Sequence, residues 1–187
     1  MSESSITKKI IAAGFKELMQ KKPFEKITIS DIANVCGINR QTFYYHFQDK
    51  YDLLNQIFCN EVIYPFITDI TVDNWSNNLI KMLTVVSNNS KFYTNALRTS
   101  YSSEFQKYIH TVSTRIFAEI IDDAAGKKLI ATNDKMFIAE FFSYGIIGSV
   151  VTWITKGIKE PPEVVVNHIV NLVNDCKNYA VKRYMDA

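Results

Sequence analysis

Proline and glycine are scarce in this sequence, which has four prolines and six glycines among 187 residues. Alternation of apolar and polar residues, which is typical of half-buried strands, is also rare. Apolar residues instead recur at spacings of three and four, the period of an amphipathic helix. Few helix-breaking residues and a helical period together predict an all-α protein.

Cysteine is equally sparse, and its three positions, Cys36, Cys59 and Cys176, are far apart in the chain. No C-x-x-C motif or histidine cluster accompanies them, which argues against a disulfide framework and against a structural zinc site. We interpret the three thiols as small apolar side chains in a reducing compartment. The sequence predicts neither a metal site nor a cofactor.

Long hydrophobic runs are missing as well. The longest apolar passage, FFSYGIIGSVVTWI at residues 141–154, is interrupted by polar residues and glycine. It is shorter than the roughly 20 residues that a membrane-spanning helix needs. The first residues, MSESSITKKI, are polar where a signal peptide requires an apolar segment. We therefore expect no membrane association and a cytoplasmic location.

Motifs of common catalytic sites are absent from the sequence. There is no phosphate-binding glycine loop, no H-E-x-x-H and no nucleophile motif. His46, His110 and His168 are far apart in the sequence and form no evident acid–base pair. The chain is not expected to be an enzyme. A helical small-molecule carrier, or a helical enzyme without nucleic-acid binding, stays open as a function class.

Positive charge is concentrated near the N-terminus. The net charge is +2, and the first 50 residues carry eight Lys or Arg against five Asp or Glu, a local charge of +3. This bias is compatible with a nucleic-acid-binding head on a nearly neutral body, although a solvated basic face would look the same.

Helix-boundary signals between residues 28 and 47 predict two short helices. Thr28 is placed as an N-cap, with Asp31 three residues later as an acidic variant of the capping box. Gly37 follows the first helix, where a left-handed conformation is easy for glycine, and Asn39 caps the second helix. Two short helices joined by a tight glycine turn form a helix-turn-helix.

The second of these helices, within INRQTFYYHFQDK at residues 38–50, has two different faces. On a helical wheel Phe43 and Phe47 share one side, while Gln41 and Tyr45 lie nearly opposite. The phenylalanines are expected to anchor the helix, and the polar side to form a recognition surface for the major groove. The alternative is an ordinary pair of helices in an all-helical protein, with a solvated polar surface.

Residues 27–54, ITISDIANVCGINRQTFYYHFQDKYDLL, resemble the signature of TetR-family transcription regulators. That signature has a T-x-x-D-I-A opening, a glycine turn and a T-F/L-Y-x-H/Y-F-x-x-K-x-x-L close. The resemblance implies a homodimer whose helix-turn-helix heads enter successive major grooves of a near-palindromic operator. It also implies two domains: a DNA-binding domain at residues 1–50 and a helical effector-binding and dimerisation domain at 51–187.

The resemblance assigns roles to individual side chains. Tyr44 and Lys50 would contact phosphates, and base edges would be read by Arg40, Gln41, Thr42 and Tyr45. Arg can bind guanine and Gln can bind adenine in a bidentate manner. The predicted DNA-binding set is Thr28, Arg40, Gln41, Thr42, Tyr44, Tyr45, His46 and Lys50. His46 lies nearer the phenylalanine side of the wheel, where a packed, hydrogen-bonded role is the alternative.

Two further segments, RQTFY at 40–44 and FFSYGIIGSVVTWITKGIKEPPE at 141–163, resemble regulators of the dihydroxyacetone kinase type within the same family. Such relatives can act with a kinase-like partner protein. The resemblance therefore leaves repression and activation both open, and the effector could be a small molecule or a protein.

After a long helix predicted from Lys50 to about Ile67, further helices are expected at 73–88, 90–98, 101–124, 133–156 and 161–185. The last two carry apolar or small residues on one side. These are Phe141, Gly145, Gly148 and Thr152, followed by Val165, Ile169, Leu172 and Val173. We expect them to pair with their symmetry mates in a four-helix dimer interface. Packing within one chain is the alternative.

Aromatic residues are dense in the middle of the chain, as they are around many ligand pockets. Tyr93, Tyr108, His110 and Tyr144 are the predicted polar groups of an effector pocket, which could be open or collapsed. The same density is also typical of an ordinary helical core.

Overall fold

The computed structural model describes residues 3–98, 102–125 and 131–185, with side chains at 4–98, 105–122 and 131–176. Every regular element in these ranges is helical, which confirms the all-α prediction. The elements are α1 (Glu3–Lys21), a 3-10 turn (Phe24–Lys26), α2 (Ile29–Cys36), α3 (Arg40–His46), α4 (Lys50–Phe58), a π turn (Cys59–Ile63), α5 (Tyr64–Ile67), α6 (Trp75–Asn88), α7 (Ser90–Leu97), α8 (Ser102–Ala125), α9 (Thr132–Thr155) and α10 (Pro162–Met185).

The first three helices form the head, in which α1 packs on α2 and α3, and α2 packs on α3. Ile11, Phe15, Ile32 and Phe43 are fully buried in its core. Burying each such side chain stabilises the fold by about 1.5–3 kcal/mol relative to leaving it in water. The head thus has a core of its own beneath the helix-turn-helix.

Gly14 allows α1 and α2 to approach closely. A Cβ atom at this position would lie 2.4 Å from Cys36 Sγ and 3.3 Å from Val35 Cγ1. Because no carbon atom fits at the first distance, the Cys36 side chain would have to move if Gly14 carried a methyl group.

The predicted long helix after Lys50 is interrupted. α4 ends at Phe58, a wider π turn follows, and the Tyr64 N–H donates to the Cys59 carbonyl five residues back. Pro65 explains the interruption, because it has no amide hydrogen and its ring would clash with the carbonyl of residue 61 in a regular α-helix.

The body consists of the later helices, among which α8 and α9 have the most extensive contact. α10 packs on α6. α7 contacts α1 on the head and also α8 and α9 in the body, so it bridges the two parts. The division at residue 50 stays a prediction, since α1 and α7 form a direct contact across it.

Candidate DNA-binding surface and effector cavity

A complete capping box starts α2. The Thr28 hydroxyl accepts from the Asp31 N–H at 3.1 Å, and the Asp31 carboxylate accepts from the Thr28 N–H at 2.8 Å. Lys22 Nζ lies 2.9 Å from the same carboxylate. The Thr28 backbone, the Lys22 ammonium and the Thr28 hydroxyl all stabilise the ionised form and lower the pKa of Asp31 from 3.8 to about 2.

The lowered pKa of Asp31 predicts acid sensitivity at this helix start. Its stabilising contribution is fully present above pH 3.8 and is lost as the pH falls through about 2. Asp31→Asn should lower the thermal unfolding midpoint at neutral pH, and the difference from the wild type should vanish near the lower value. Midpoints of both proteins across this pH range test the prediction, and a constant difference would contradict it.

A glycine turn connects α2 to α3. Gly37 has a φ of 65°, in the left-handed region, and the Ile38 N–H donates to the Ala33 carbonyl at 3.0 Å. Asn39 Oδ1 then accepts from the Thr42 N–H at 2.7 Å and starts α3. The turn and the cap together set the direction in which α3 leaves α2.

α3 lies with its apolar side in the core and its polar side in solvent. Phe43 is 0% exposed and Phe47 4%, whereas Tyr45 is 81% exposed. Arg40 and Gln41 are also exposed. The distribution follows from the helical period: the two phenylalanines are four residues apart, and the exposed side chains lie on the other face.

The remaining predicted DNA-binding side chains have local partners. The Thr42 hydroxyl donates to Asn39 Oδ1 at 3.0 Å, and the Thr28 hydroxyl donates to the Asp31 carboxylate at 2.8 Å. His46 is half-buried, with its ring edge-to-face against Tyr45 at 4.9 Å. Tyr44 is 50% exposed. Apart from Lys50, the predicted residues thus lie on α3 and at the start of α2, which pack on each other.

Lys50 is the member with a structural role that the sequence did not indicate. Its ammonium donates to the carbonyls of Phe24, Glu25 and Ile27 at 2.9, 3.2 and 2.9 Å. It also lies over the Phe24 ring, 4.5 Å from the centroid. Burial lowers the pKa of Lys50, against the opposing charges of Glu25 and Asp49. Lys50 therefore positions the 3-10 turn before α2, and its phosphate contact stays a prediction.

Asn95 on α7 joins the body to the head. Its Nδ2 donates to the carbonyls of Met19 and Lys22, both at 2.9 Å, and its Oδ1 accepts from the Phe24 N–H at 3.0 Å. One carboxamide therefore satisfies the last carbonyls of α1 and the first amide of the following turn. We call these three bonds the Asn95 clasp.

A cavity of about 100 Å³ lies in the body among the π turn and helices α6 to α9. Its wall is mainly aliphatic and aromatic, and includes Phe58, Trp75, Phe105 and Ile146. Tyr93 also lines the cavity, so this member of the predicted pocket set lies at its wall.

The other three predicted pocket residues lie elsewhere. The Tyr108 hydroxyl is hydrogen-bonded to Cys59 Sγ at 2.8 Å, and burial raises the pKa of Tyr108. His110 Nδ1 is 3.4 Å from Ser143 Oγ, and burial lowers the pKa of His110. Tyr144 is 63% exposed beside the His110 ring. None of these three lines the cavity in the part of the chain described.

An apolar strip is exposed along the outer side of α9. Phe137 is 71% exposed and Phe141 64%, and Gly145, Gly148 and Thr152 are exposed on the following turns. These positions lie three or four residues apart and therefore form one ridge. So large an exposed apolar strip is typical of a surface that another protein covers.

The predicted apolar stripe of α10 is buried near the start of the helix and exposed further along it. Val165 and Ile169 are each only 8% exposed and belong to the core of one protomer, as the alternative of packing within one chain predicts. Val173 is half-buried, whereas Leu172 is 64% exposed. Val164, at 38%, is exposed as well.

By length and composition alone, α9 is apolar enough to cross a membrane. Residues 141–154, the longest apolar passage noted in the sequence, are by themselves too short for a membrane-spanning helix. Only 33% of the apolar stretch of α9 is buried in the protomer. A helix that packs on α8 with one face and on a second protomer with another would have the same composition, so the criterion is weak evidence for a membrane.

Family models match both parts of the chain. The model for bacterial regulatory proteins of the tetR family matches residues 10–57, and the model for the transcriptional regulator C-terminal region matches residues 73–175. The HTH-type dhaKLM operon transcriptional activator DhaS of Lactococcus lactis subsp. lactis (strain IL1403) is 40% identical over 93 residues. That match spans 50% of this chain and 50% of the relative.

Solved structures extend the similarity to nearly the whole chain. The dihydroxyacetone kinase operon activator DhaS has a TM-score of 0.71 at 30% identity, covering 91% of this chain and 95% of that one. NalD, the secondary repressor of the MexAB-OprM multidrug efflux pump in Pseudomonas aeruginosa, has a TM-score of 0.63 at 16% identity, covering 91% and 94%. The second likeness shows the fold alone. Together with the exposed face of α3, the matches establish that the chain is a DNA-binding transcription regulator and belongs to the TetR family, in the group that resembles DhaS.

Proposed function

We propose that this regulator acts as a homodimer whose two α3 helices enter successive major grooves of a near-palindromic operator. The observation that carries the proposal is the pairing of a buried Phe43 with an 81% exposed Tyr45 on the same short helix. Because Phe43 is packed in the core, α3 cannot turn its polar side inward without removing Phe43 from the core. That side is free to meet a DNA duplex.

Base reading is assigned to the solvent side of α3. Arg40 can donate two hydrogen bonds to guanine O6 and N7, and Gln41 can donate to adenine N7 and accept from its N6 amino group. The exposed Tyr45 can contact a thymine methyl group or a phosphate. Tyr44 is assigned to a phosphate. Thr28 and Thr42 donate their hydroxyl protons to cap partners, so we assign them contacts through the hydroxyl oxygen or the methyl group.

The proposed dimer interface is formed by the exposed strip on α9 together with the exposed later part of the α10 stripe. Phe141, Gly145, Gly148 and Thr152 keep their predicted place in it, and the small residues would let a partner helix approach closely. On α10 the exposed Leu172 replaces the buried Val165 and Ile169 as the main contributor.

Phe141→Glu should weaken this dimer, because each interface would hold two carboxylates in an apolar contact. Light scattering after size exclusion at micromolar concentration should give the mass of a dimer for the wild type and of a monomer for the variant. Lys91→Glu, a charge change on an exposed residue of α7, serves as the control and should remain dimeric. A monomeric wild type would contradict the proposed dimer.

The sign of regulation follows from the relatives only by analogy. Both DhaS matches are described as operon activators, of the dhaKLM operon for the curated relative and of the dihydroxyacetone kinase operon for the solved structure. We propose that this chain controls a neighbouring operon in the cytoplasm, as an activator with a partner protein or as a repressor released by an effector.

α7 is the element through which an effector would change DNA affinity. Tyr93 on this helix lines the cavity, and two residues later Asn95 forms the clasp with the head. A ligand that shifts α7 would move the end of α1 and the turn that Lys50 holds. Because the two heads must lie about 34–36 Å apart to fit successive grooves, a small rotation of each head changes affinity.

The test is a mobility-shift experiment with the DNA that flanks the protein's own gene, at physiological salt and with competitor DNA. We expect specific retention that weakens steeply as salt rises, because phosphate contacts release counterions. A helical carrier would give no specific retention at any salt concentration, and that result would overturn the proposal.

A further inference from the structure

A groove between the end of α1 and α7 is lined mainly by polar and charged side chains. Its volume is about 600 Å³, within the range of about 300–1,000 Å³ that is usual for small-molecule sites. Four of the five charged residues that line it are cations, namely Lys21, Lys22, Lys91 and Arg98, and the fifth is Glu25. We call this region the basic groove.

The two cations on the α7 wall of the basic groove have no acidic partner in the described part of the chain. Both lysines on the α1 wall pair with nearby acids, Glu17 and Asp31. Lys91 and Arg98, by contrast, form no ion pair with a described carboxylate, and both are exposed. An anion that entered the groove would therefore meet two positive charges that the described residues do not neutralise.

Arg98 is held in place at one end of the basic groove. Its Nη2 donates to the Thr155 carbonyl at 3.2 Å. That carbonyl is one of the last four of α9, which have no acceptor role within the helix. The guanidinium carries five N–H groups in a planar fork, so an Arg98 anchored through one nitrogen still presents donors that match a phosphate.

Lys91 lies on the same side of α7 as Arg98. The two residues are seven positions apart, which corresponds to about 10 Å along a helix. Thr94 lies between them and also lines the groove, while the Gln20 carboxamide belongs to the opposite wall. The groove therefore combines two long cationic side chains with a hydroxyl and an amide, which can bind the hydroxyl groups of a ligand.

We infer that the basic groove binds a small phosphorylated molecule that also carries hydroxyl groups, of the class of polyol phosphates. Arg98 binds the phosphate with its fork and Lys91 adds a second charge, which is the pairing that phosphate recognition favours. A neutral polyol does not fit the site, because it would leave both cations without a counter-charge. The site goes beyond the proposed function, and only its effect on DNA rests on that function.

A ligand in the basic groove would connect α7 with the end of α1 beside the Asn95 clasp. Because it would bind the folded protein and not the unfolded chain, it should raise the thermal unfolding midpoint. It would also restrict the movement of the head relative to α7, so the affinity for flanking DNA should change when the ligand is added.

Calorimetric titration of the full-length protein tests the site with glycerol 3-phosphate, and glycerol is the matched probe without the phosphate. The wild type should bind glycerol 3-phosphate and should not bind glycerol. Arg98→Gln should weaken binding by about 12- to 150-fold, the loss of a charge-assisted hydrogen bond. Lys91→Gln should weaken it as well. Lys81→Gln, which removes an exposed lysine of α6 outside the groove, is the control and should bind like the wild type.

The phosphates of DNA are the other source of the same chemistry. If Lys91 and Arg98 contacted the DNA backbone, each neutral variant would reduce the slope of log affinity against log salt by about 1 in the absence of glycerol 3-phosphate. We expect both variants to keep the wild-type slope. A reduced slope, no binding of glycerol 3-phosphate by the wild type, or wild-type affinity in both Arg98→Gln and Lys91→Gln would overturn the inference.

A failure of this site is distinguishable from a failure of the proposed function. Retention of flanking DNA is measured on the same samples without any probe. Specific retention without binding of glycerol 3-phosphate would overturn the site alone. Binding of glycerol 3-phosphate without specific retention would support the site and overturn the regulator's proposed mode of action.

Discussion

Phe43→Ala is expected to destabilise the head by about 3–5 kcal/mol, the range for removing a buried phenyl ring from a core. Phe43 is 0% exposed, and its ring centroid lies 5.7 Å from those of both Phe47 and Tyr44. α3 is only seven residues long, too short to be stable in water without this packing. The variant should therefore lose DNA binding together with the order of the head, as measured by chemical denaturation and by a duplex-binding assay.

Tyr45→Ala is the matched control for Phe43→Ala on the same helix. Because Tyr45 is 81% exposed, its removal should change stability by no more than about 0.5 kcal/mol. DNA affinity should nevertheless fall, since the proposed role of this side chain lies in the groove. If Phe43→Ala proved as stable as Tyr45→Ala, the assignment of an anchoring and a displayed side would be wrong.

Asn95→Ala is expected to have the second large effect, because it breaks the clasp. Three hydrogen bonds are lost at once, and two carbonyls and one amide of the head lose their partner. Net losses of about 0.5–1.5 kcal/mol for each of the three bonds give about 1.5–4.5 kcal/mol in total. Calorimetry should show the head unfolding at a lower temperature than the body, in place of one cooperative transition.

The clasp also has a functional consequence. If α7 transmits the effector signal through Asn95, the variant should bind flanking DNA but respond weakly to any effector that regulates the wild type. Asn89→Ala is the control. It also removes an asparagine side chain, but Asn89 Nδ2 donates to the Val85 carbonyl near the end of α6, so the lost hydrogen bond lies within the body. A single unshifted unfolding transition in Asn95→Ala would show that the clasp does not couple head and body.

Local signals explain why the helix-turn-helix was predictable from the sequence. Thr28, Asp31, Gly37 and Asn39 act through bonds to residues no more than a few positions away, and helix capping depends on such short-range chemistry. The phenylalanine spacing of α3 is likewise a local pattern. Pro65 is a local signal as well, because a proline within a helix predicts an interruption like the one found after α4.

Contacts between residues far apart in the chain could not be predicted from the sequence. Asn95 bonds residues more than 70 positions away, and Lys50 bonds carbonyls 23 to 26 positions away. Nothing in their immediate neighbours indicates such partners, since only the assembled fold brings them together. The close approach at Gly14 was missed for the same reason.

Helical periodicity alone could not decide how far along α10 the apolar stripe is buried in the core. Val165, Ile169 and Leu172 lie on one side of the helix. Packing on α6 accompanies burial of Val165 and Ile169 within the protomer, whereas Leu172, one turn later on the same side, is exposed. Similarly, aromatic density indicated a pocket region, but Tyr93 alone of the four predicted polar residues lines the cavity.

Arg40→Ala shows whether the solvent side of α3 reads base edges. Fluorescence anisotropy would measure the affinity of the wild type and the variant for the retained flanking duplex and for a scrambled duplex of equal length. We expect a loss of about 1–3 kcal/mol, about 5- to 150-fold, on the specific duplex and a much smaller loss on the scrambled one. Equal losses on both duplexes, or no loss on either, would contradict base reading by α3.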